Sequence, residues 1–179
     1  KGVSVSIIDA EANNFDHKQS AEAAASYNPD LVVFVVYGQQ PSASTQCMPA
    51  AAITCNFLKE ITSAPTMVMG THSSALPLRT LQQEPYDFVC QGEGPYTVYG
   101  LIRALKDKTA LSEVSGLWYV EKGLPKNNPI KDKIVDLDKE LPRQAFELLD
   151  MTKYRAHNWH CFDDLDSRNS YASLQTSLG

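Results

Sequence analysis

Residues Gly92 to Gly94 form the stretch of this sequence whose composition most directly suggests a binding site. They follow an apolar run, Tyr86 to Cys90, so that one carboxylate stands between two residues without a Cβ atom. Glycine allows close approach to the backbone and tolerates positive φ. Glu93 could therefore accept hydrogen bonds from a bound molecule. It could equally cap a helix that starts near Tyr96 with Pro95 in its first turn, and both interpretations stay open here.

Similar loops follow three other apolar runs, at Asp9 to Phe15, Tyr37 to Thr45 and Gly70 to Pro77. These loops are rich in Gly, Ser, Thr, Asn and Gln and contain almost no Lys or Arg. Such a composition suits many neutral hydrogen bonds to a large polar ligand. The phosphate-binding patterns GxxxxGK[ST] and GxGxxG are both absent, which argues against a nucleoside triphosphate.

Other reactive side chains give no catalytic constellation, and we predict no catalytic residue and no metal ligand. The cysteines Cys47, Cys55, Cys90 and Cys161 form no CxxC pair, which favours core or incidental thiols. The run His157 to Phe162 resembles a metal cluster at first, but its His and Cys side chains cannot all point inward, and packing by its aromatic residues is the simpler hypothesis.

The elements that position these loops alternate between apolar strands and amphipathic helices. Continuously apolar strands are typical of a parallel sheet covered on both faces, and ligands bind at the carboxyl ends of its strands. The order predicts an α/β, doubly wound parallel sheet. Strands are predicted at Val3 to Asp9, Asp30 to Gly38, Pro65 to Gly70 and Tyr86 to Gly92, and helices at Asp16 to Asn28, Ala50 to Thr62, Leu76 to Glu84 and Tyr96 to Lys108.

The character of the chain changes after Lys108. Ser115 to Lys133 is predicted to form a β-hairpin with a Gly-centred turn, and Asp136 to Tyr154 a charged linker leading into a short helix with Pro142 near its start. Asn169 to Gly179 is strand-like. We therefore predict an α/β domain at 1–108, a hairpin with a connector helix at 109–165, and at 166–179 a strand leading into a further domain.

Composition narrows the class of partner. The chain has 179 residues, 43% of them hydrophobic, with a formal net charge of −5 and a pI near 5.3. These values predict a globular protein and argue against nucleic acid as a partner. No apolar run is long enough to span a membrane and the first residues do not resemble a signal peptide, so a cytoplasmic location is expected.

Seven segments resemble, in order, the N-terminal cobalamin-binding region of B12-dependent radical SAM proteins. The resemblance implies a Rossmann-like or flavodoxin-like B12-binding fold and a module of a radical SAM enzyme, such as a methyltransferase or a related C–C or ring-forming enzyme. The segments are VSIIDAEA, NPDLVVFVVYG, PTMVMGTHSSALP, YDFVCQGEGPYTVYGLIRAL, VSGLWYVEKGLPKNNP, DLDKELPRQAFELLDMTKY and YASLQTSLG.

The same resemblance implies how the chain relates to the rest of such an enzyme. In the family, a CxxxCxxC loop that holds a [4Fe-4S] cluster follows the terminal strand, so Gly179 corresponds to the residue before it. The cluster and S-adenosylmethionine are expected only in that downstream radical SAM domain, which would be the partner of this one within the polypeptide. The family's first strand and helix are expected before Lys1.

The positions that match the family's corrinoid crevice lie in the three polar loops after the later strands. His72 is expected to hydrogen-bond the cofactor tail or a loop backbone rather than ligate a metal. The D-x-H-x-x-G motif with a cobalt-ligating His is absent, so the resemblance allows base-off or His-off binding. The implied cobalamin contacts are Gly38, Ser42, Ser44, Thr45, Gly70, Thr71, His72, Ser73, Gly92, Glu93 and Gly94.

A non-catalytic reading stays open beside this one. The chain could be an α/β scaffold or interaction domain that has lost cobalamin binding. A receiver-like phosphoacceptor site fits poorly, because Asp9 is the only comparable strand-end acid and no Lys occupies a matching strand end.

Overall fold

A mixed β-sheet lies at the centre of the computed structural model, which describes residues 2–38, 41–131, 133–141, 143–155 and 172. The sheet has β1 to β3 parallel to one another and β4 and β5 antiparallel, in the spatial order β1-β2-β3-β4-β5. This arrangement confirms the predicted α/β class. The strands are β1 Val32–Val35, β2 Thr66–Met69, β3 Phe88–Cys90, β4 Leu117–Glu121 and β5 Leu124–Asn127.

The helices follow the strands much as predicted, with one clear difference in length. The helix after β1 begins at Pro41 rather than at Ala50. Proline suits the first position of a helix because its missing N–H would have no partner there. The helices are α1 His17–Ala25, α2 Pro41–Ile61, α3 Thr71–Ala75, α4 Pro77–Gln83, α5 Pro95–Asp107 and α6 Leu137–Glu140, with 3-10 turns at Leu111–Glu113, Phe146–Leu148 and Met151–Lys153.

Alternate residues of β2 and β3 enter two separate apolar clusters. Met67 and Cys90 pack with Leu101 of α5, whereas Val68 and Val89 belong to the cluster that contains residues of α2. Because successive side chains of a strand point to opposite faces, the two clusters lie on opposite faces of the sheet. This agrees with the prediction that the central strands are apolar on both sides.

The predicted hairpin is present and is continuous with the main sheet. Its turn contains Lys122 and Gly123, both with positive φ (51° and 77°), as a tight two-residue hairpin turn requires. β4 pairs with β3 in the register Val89 to Trp118. The hairpin therefore extends the sheet beyond its parallel strands.

Two sequence-based predictions about secondary structure are wrong. Val3 to Asp9 forms no ladder with any strand of the described part, and Val5 is 58% exposed. Its alternating pattern suits a strand, but a strand exists only where a neighbour supplies the hydrogen bonds. The second is the short helix predicted with Pro142 near its start. The connector instead has two separate 3-10 turns, because Asp150 accepts a hydrogen bond from the N–H of Thr152 (3.1 Å) and starts a new turn.

Some predictions fall outside the described residues, namely those on His157 to Phe162, Cys161 and the strand-like run from Asn169 to Gly179.

Cys55 and Cys90 are buried free thiols and Cys47 is an exposed one. Among the helices of the described part, none is long and apolar enough to cross a membrane.

Candidate functional site

The carboxyl ends of β1, β2 and β3 lie at one edge of the sheet, because these strands are parallel neighbours. Each strand is followed at this edge by a short loop and then by the first residue of a helix, α2, α3 or α5. The N-termini of the long helices α2 and α5 therefore face this edge and bring partial positive charge to it. All the sequence-predicted contact residues lie in these loops or in the first turns of these helices.

Ser44 joins two of the loops. Its Oγ donates a hydrogen bond to the carbonyl oxygen of Val36 (2.5 Å) and accepts one from the N–H of His72 (3.1 Å). The Ser44 side chain is completely buried. Its hydroxyl is thus used within the protein, where it fixes the start of α2 against the end of β1 and the start of α3.

Thr45 and His72 form a second link between the same two loops. Thr45 Oγ1 lies 2.9 Å from His72 Nδ1, with Thr45 exposed and His72 half-buried. The imidazole is oriented by a hydroxyl rather than by other metal-binding groups. Within the described ranges, no group of three or more His, Cys, Asp or Glu residues could hold a metal ion.

Gly70 allows the end of β2 to pass very close to the end of β1. A Cβ atom on Gly70 would lie 2.0 Å from the carbonyl oxygen of Val36, and φ of Gly70 is +151°. Buried Ser73 donates from Oγ to the Gly70 carbonyl oxygen (3.1 Å). Gly70 and Ser73 thus set the loop path, whereas the neighbouring Thr71 is exposed.

The loop after β1 packs tightly on the first turn of α2. A Cβ atom on Gly38 would lie 2.3 Å from Cβ of Ala43. Ser42, in the same helical turn, is exposed. Gly38 therefore serves the packing of this turn, while the hydroxyl of Ser42 is offered to solvent at the carboxyl edge.

The loop from Gly92 to Gly94 is joined to α3 through Ser74, whose Oγ accepts a hydrogen bond from the N–H of Gly92 (2.8 Å). Helix α5 has Gly94 as its N-cap, and no side chain caps it. Glu93 is exposed, and its Oε2 accepts instead from the N–H of Ile134 (3.2 Å). The alternative interpretation of Glu93 as a helix cap is therefore wrong.

Tyr37 and Ser74 belong to this edge but were not among the predicted contact residues. Tyr37 lies two residues after Val35, the last residue of β1, and is 46% exposed. Partial burial raises the pKa of its phenol, with smaller contributions from Cys90 and Glu93, so the ring stands near the loop after β3. Its position between an apolar strand and Gly38 was the sequence signal that could have identified it.

A contact from the connector reaches the loop after the first predicted strand. The Tyr154 hydroxyl donates to Asp9 Oδ2 (2.8 Å), and Lys153 Nζ lies 2.6 Å from Asn13 Oδ1. Partial burial, together with Asp9, raises the pKa of Tyr154 to about 12. The only strand-end acid considered for a phosphoacceptor site is thus occupied by a tyrosine from the connector.

The first 102 residues match a family model described as the B12 binding domain. An uncharacterized methyltransferase of Pyrococcus horikoshii is 32% identical over 154 residues, which are 85% of this chain and 32% of that protein. The 4'-phospho-dehydrooxetanocin synthase of Priestia megaterium is 33% identical over 81 residues, 44% of this chain and 11% of that protein. The chain thus spans about a third or less of these relatives.

Two solved structures share the fold of this chain. The radical S-adenosylmethionine methyltransferase TsrM of Kitasatospora setae superposes with a TM-score of 0.62 at 17% identity, over 72% of this chain and 24% of TsrM. The cobalamin-dependent S-adenosylmethionine radical enzyme OxsB, with aqua-cobalamin bound, gives a TM-score of 0.57 at 25% identity, over 75% of this chain and 18% of OxsB.

The order of the strands, the loops gathered at one edge and the match over residues 1–102 lead to one assignment. This chain belongs to the family of B12-binding domains and resembles those of B12-dependent radical SAM enzymes.

Proposed function

We propose that this chain binds cobalamin across the carboxyl edge of β1, β2 and β3, as the cofactor-binding module of a radical SAM methyltransferase or a related C–C or ring-forming enzyme. The observation that carries the proposal is the uncharged donor set at this edge. The loops at 36–45, 70–77 and 91–96 contain no Lys or Arg, and they present exposed hydroxyls from Ser42, Thr45 and Thr71.

The chemistry of these loops suits a corrinoid. The corrin ring carries amide side chains and its nucleotide tail carries a ribose and one phosphodiester, so a binder needs neutral hydrogen-bonding groups and little formal charge. The dipoles of α2 and α5 supply partial positive charge for a single phosphate. In the loop after β3, the backbone of half-buried Gly92 is the part open to a bound molecule, whereas buried Gly94 lacks a Cβ because Met69 Cε would lie 2.3 Å from it.

The residues divide into two groups by what they do. The first group is proposed to hold the loops in place through close or buried contacts within the protein; its members are Gly38, Ser44, Gly70 and Ser73. The residues proposed to face the cofactor are Ser42, Thr45, Thr71, His72 and Gly92, with Tyr37 beside them. Glu93, whose carboxylate accepts from the N–H of Ile134, and buried Gly94, where an added Cβ would lie 2.3 Å from Met69 Cε, are proposed to shape the loop after β3.

The chemistry of the full enzyme belongs to its cofactors, and the protein's task in this module is binding and orientation. Bound cobalamin would supply a cobalt centre that carries a methyl group or assists a rearrangement. We assign no catalytic residue to this chain. A [4Fe-4S] cluster and S-adenosylmethionine are proposed for a downstream radical SAM domain; a TsrM structure contains both cobalamin and a [4Fe-4S] cluster.

The test is retention of hydroxocobalamin by the full chain after gel filtration, followed by titration of two matched variants. Thr71→Trp places a large ring at the carboxyl edge, whereas Ser63→Trp places the same ring on exposed backbone before β2, at the opposite edge. We expect Thr71→Trp to weaken binding at least about tenfold, equivalent to about 1.4 kcal/mol, and Ser63→Trp to leave it unchanged.

Each other outcome has a definite meaning. If the unmodified chain retains no corrin absorbance, the domain is a scaffold that has lost the cofactor and the proposal fails. If both tryptophan variants bind as tightly as the parent, the cofactor does not use this edge. For the radical SAM assignment, the test is a CxxxCxxC sequence within a few residues after Gly179 in the encoded protein.

A further inference from the structure

A segment after the hairpin crosses the outer side of the Gly92 to Gly94 loop. We call it the strap and define it as residues 129–131 and 133–141. Its beginning is fixed by two hydrogen bonds, one from the N–H of Gly116 to the carbonyl oxygen of Pro129 (3.3 Å) and one from the N–H of Lys131 to Ser115 Oγ (2.8 Å). The strap then leads toward the connector at 143–155.

Three successive backbone amides of the strap donate to carboxylates. The N–H of Ile134 donates to Glu93 Oε2 (3.2 Å), while those of Val135 and Asp136 donate to Oε1 of Glu140, at 2.9 Å each. Glu140 belongs to the strap itself, in α6. Glu93 therefore supplies a hydrogen bond that connects the strap directly to the predicted cofactor loop.

A second connection runs through the first turn of α5. The Tyr96 hydroxyl donates to Oε2 of Glu140. Hydrogen bonds from Tyr96 and from the amides of Asp136 and Val135 lower the pKa of Glu140, so this carboxylate stays ionised as an acceptor. The start of α5 and the loop before it thus contact the strap at two adjacent points.

The strap buries little apolar surface. Val135 is 88% exposed and Ile130 is 41% exposed, although Ile130 Cδ1 lies only 3.2 Å from where a Cβ on Gly92 would be. Segments with few buried apolar contacts open locally at low free-energy cost. The strap is therefore held mainly by polar contacts, with residues 115 and 116 at its beginning and with Glu93 and Tyr96 further along.

We infer that Glu93 is a positioning residue that couples the strap to the cofactor loop, so that cobalamin at the edge and order in the strap favour each other. The inference rests on the proposed function. A ligand that contacts the backbone of Gly92 restrains the loop from which the Glu93 side chain reaches the strap. Coupling between two such events is reciprocal, so strap order raises cofactor affinity by the same factor.

The test is hydrogen–deuterium exchange of the full chain, read on peptides that cover 133–136, with and without hydroxocobalamin. Three variants are compared with the parent: Glu93→Ala, Glu93→Gln, and Glu60→Gln as a control for loss of an exposed carboxylate, on α2. Without cobalamin, Glu93→Ala should speed exchange at Ile134 about fivefold, as expected for one lost hydrogen bond. Glu93→Gln keeps a neutral acceptor and should fall between, while Glu60→Gln should match the parent.

With hydroxocobalamin, exchange in the parent strap should slow further. In Glu93→Ala, cobalamin should still bind, with affinity weakened by no more than about the same fivefold, and the slowing at Ile134 should disappear. Trypsin cleavage after Lys133 should follow the same pattern, because the bond cleaved contains the Ile134 N–H that donates to Glu93.

Two results would overturn the inference. One is equal exchange at Ile134 in the parent and Glu93→Ala without cobalamin, which would show that the carboxylate does not hold the strap. The other is tight cobalamin binding by the parent with no change in strap exchange, which would refute the coupling alone. A parent that binds no cobalamin would refute the proposed function and the coupling together, while the comparison without cobalamin would still decide the Glu93 contact.

Discussion

Replacing Gly70 by alanine adds one methyl group at the point where the ends of β1 and β2 are closest. The new Cβ would lie 2.0 Å from the Val36 carbonyl oxygen, 2.8 Å from the Val36 carbonyl carbon and 3.3 Å from Ser44 Oγ. The substituted residue would also have to keep φ near +151°. The substitution therefore combines a steric overlap with an unfavourable backbone conformation.

The overlap cannot be relieved by a small shift of Val36. Its carbonyl oxygen accepts the hydrogen bond from Ser44 (2.5 Å), and its N–H donates to the Met69 carbonyl oxygen (2.8 Å). Backbone strain costs about 1–3 kcal/mol and overpacking about 1–3 kcal/mol. We expect Gly70→Ala to lose about 2–6 kcal/mol of a total unfolding free energy of about 5–15 kcal/mol.

Gly123→Ala is a matched control, because Gly123 also has positive φ (+77°) but no atom lies within 4 Å of its added Cβ. It should lose only the conformational part, about 1–2 kcal/mol. The measurement is urea unfolding of both variants and the parent, with retention of hydroxocobalamin as a second readout. If Gly70→Ala destabilises the protein no more than Gly123→Ala, the close contact with Val36 is not as the structure has it.

Two further predictions use hydrogen bonds of known partners. Ser44→Ala should lower the unfolding free energy by about 1–3 kcal/mol, because it leaves a buried carbonyl and a backbone amide without their partner. The control Ser42→Ala, at an exposed position, should change the unfolding free energy by less than about 0.5 kcal/mol. Similar losses for the two variants in urea unfolding would contradict the burial of Ser44. Burial raises the pKa of Asp87, but hydrogen bonds from Lys59 and Thr66 outweigh it and leave this pKa below its ordinary value. Since a lowered carboxyl pKa contributes stability above the unfolded-state pKa of about 3.9, that contribution should be lost as pH falls through the folded-state pKa. The difference in stability between the parent and Asp87→Asn should therefore shrink as the pH falls below about 4, and parallel pH profiles would show that Asp87 does not make this contribution.

Local pattern was enough to predict the parallel strands and the edge that carries the site. β2 and β3 are apolar at every position except Thr66, which is typical of strands covered on both sides, and the structure places Met67 and Val68 in opposite clusters. Once strands are parallel, their carboxyl ends must share an edge. The clustering of three polar loops there therefore follows from strand order, before any side chain is placed.

Other features depend on residues far apart in the chain, which local pattern does not report. Ser42 and Ser44 look alike in sequence, yet one is exposed and the other completely buried, because only Ser44 faces the Val36 carbonyl. Glu93 has two plausible local roles, but its hydrogen bond goes to Ile134. The alternating run at Val3 to Asp9 has the pattern of a strand without a paired neighbour in the described part.

The division between these two kinds of feature has a physical basis. Burial of apolar strands and the position of turns are encoded within a few residues, since they depend on side-chain period and on backbone preferences. Distances between segments, such as the ends of β1 and β2 or the loop and the strap, set the other features. They decide which hydroxyl is hydrogen-bonded within the protein, which glycine must lack a Cβ, and from which amide a carboxylate accepts. Those distances exist only after the sheet has formed and the hairpin has joined β3.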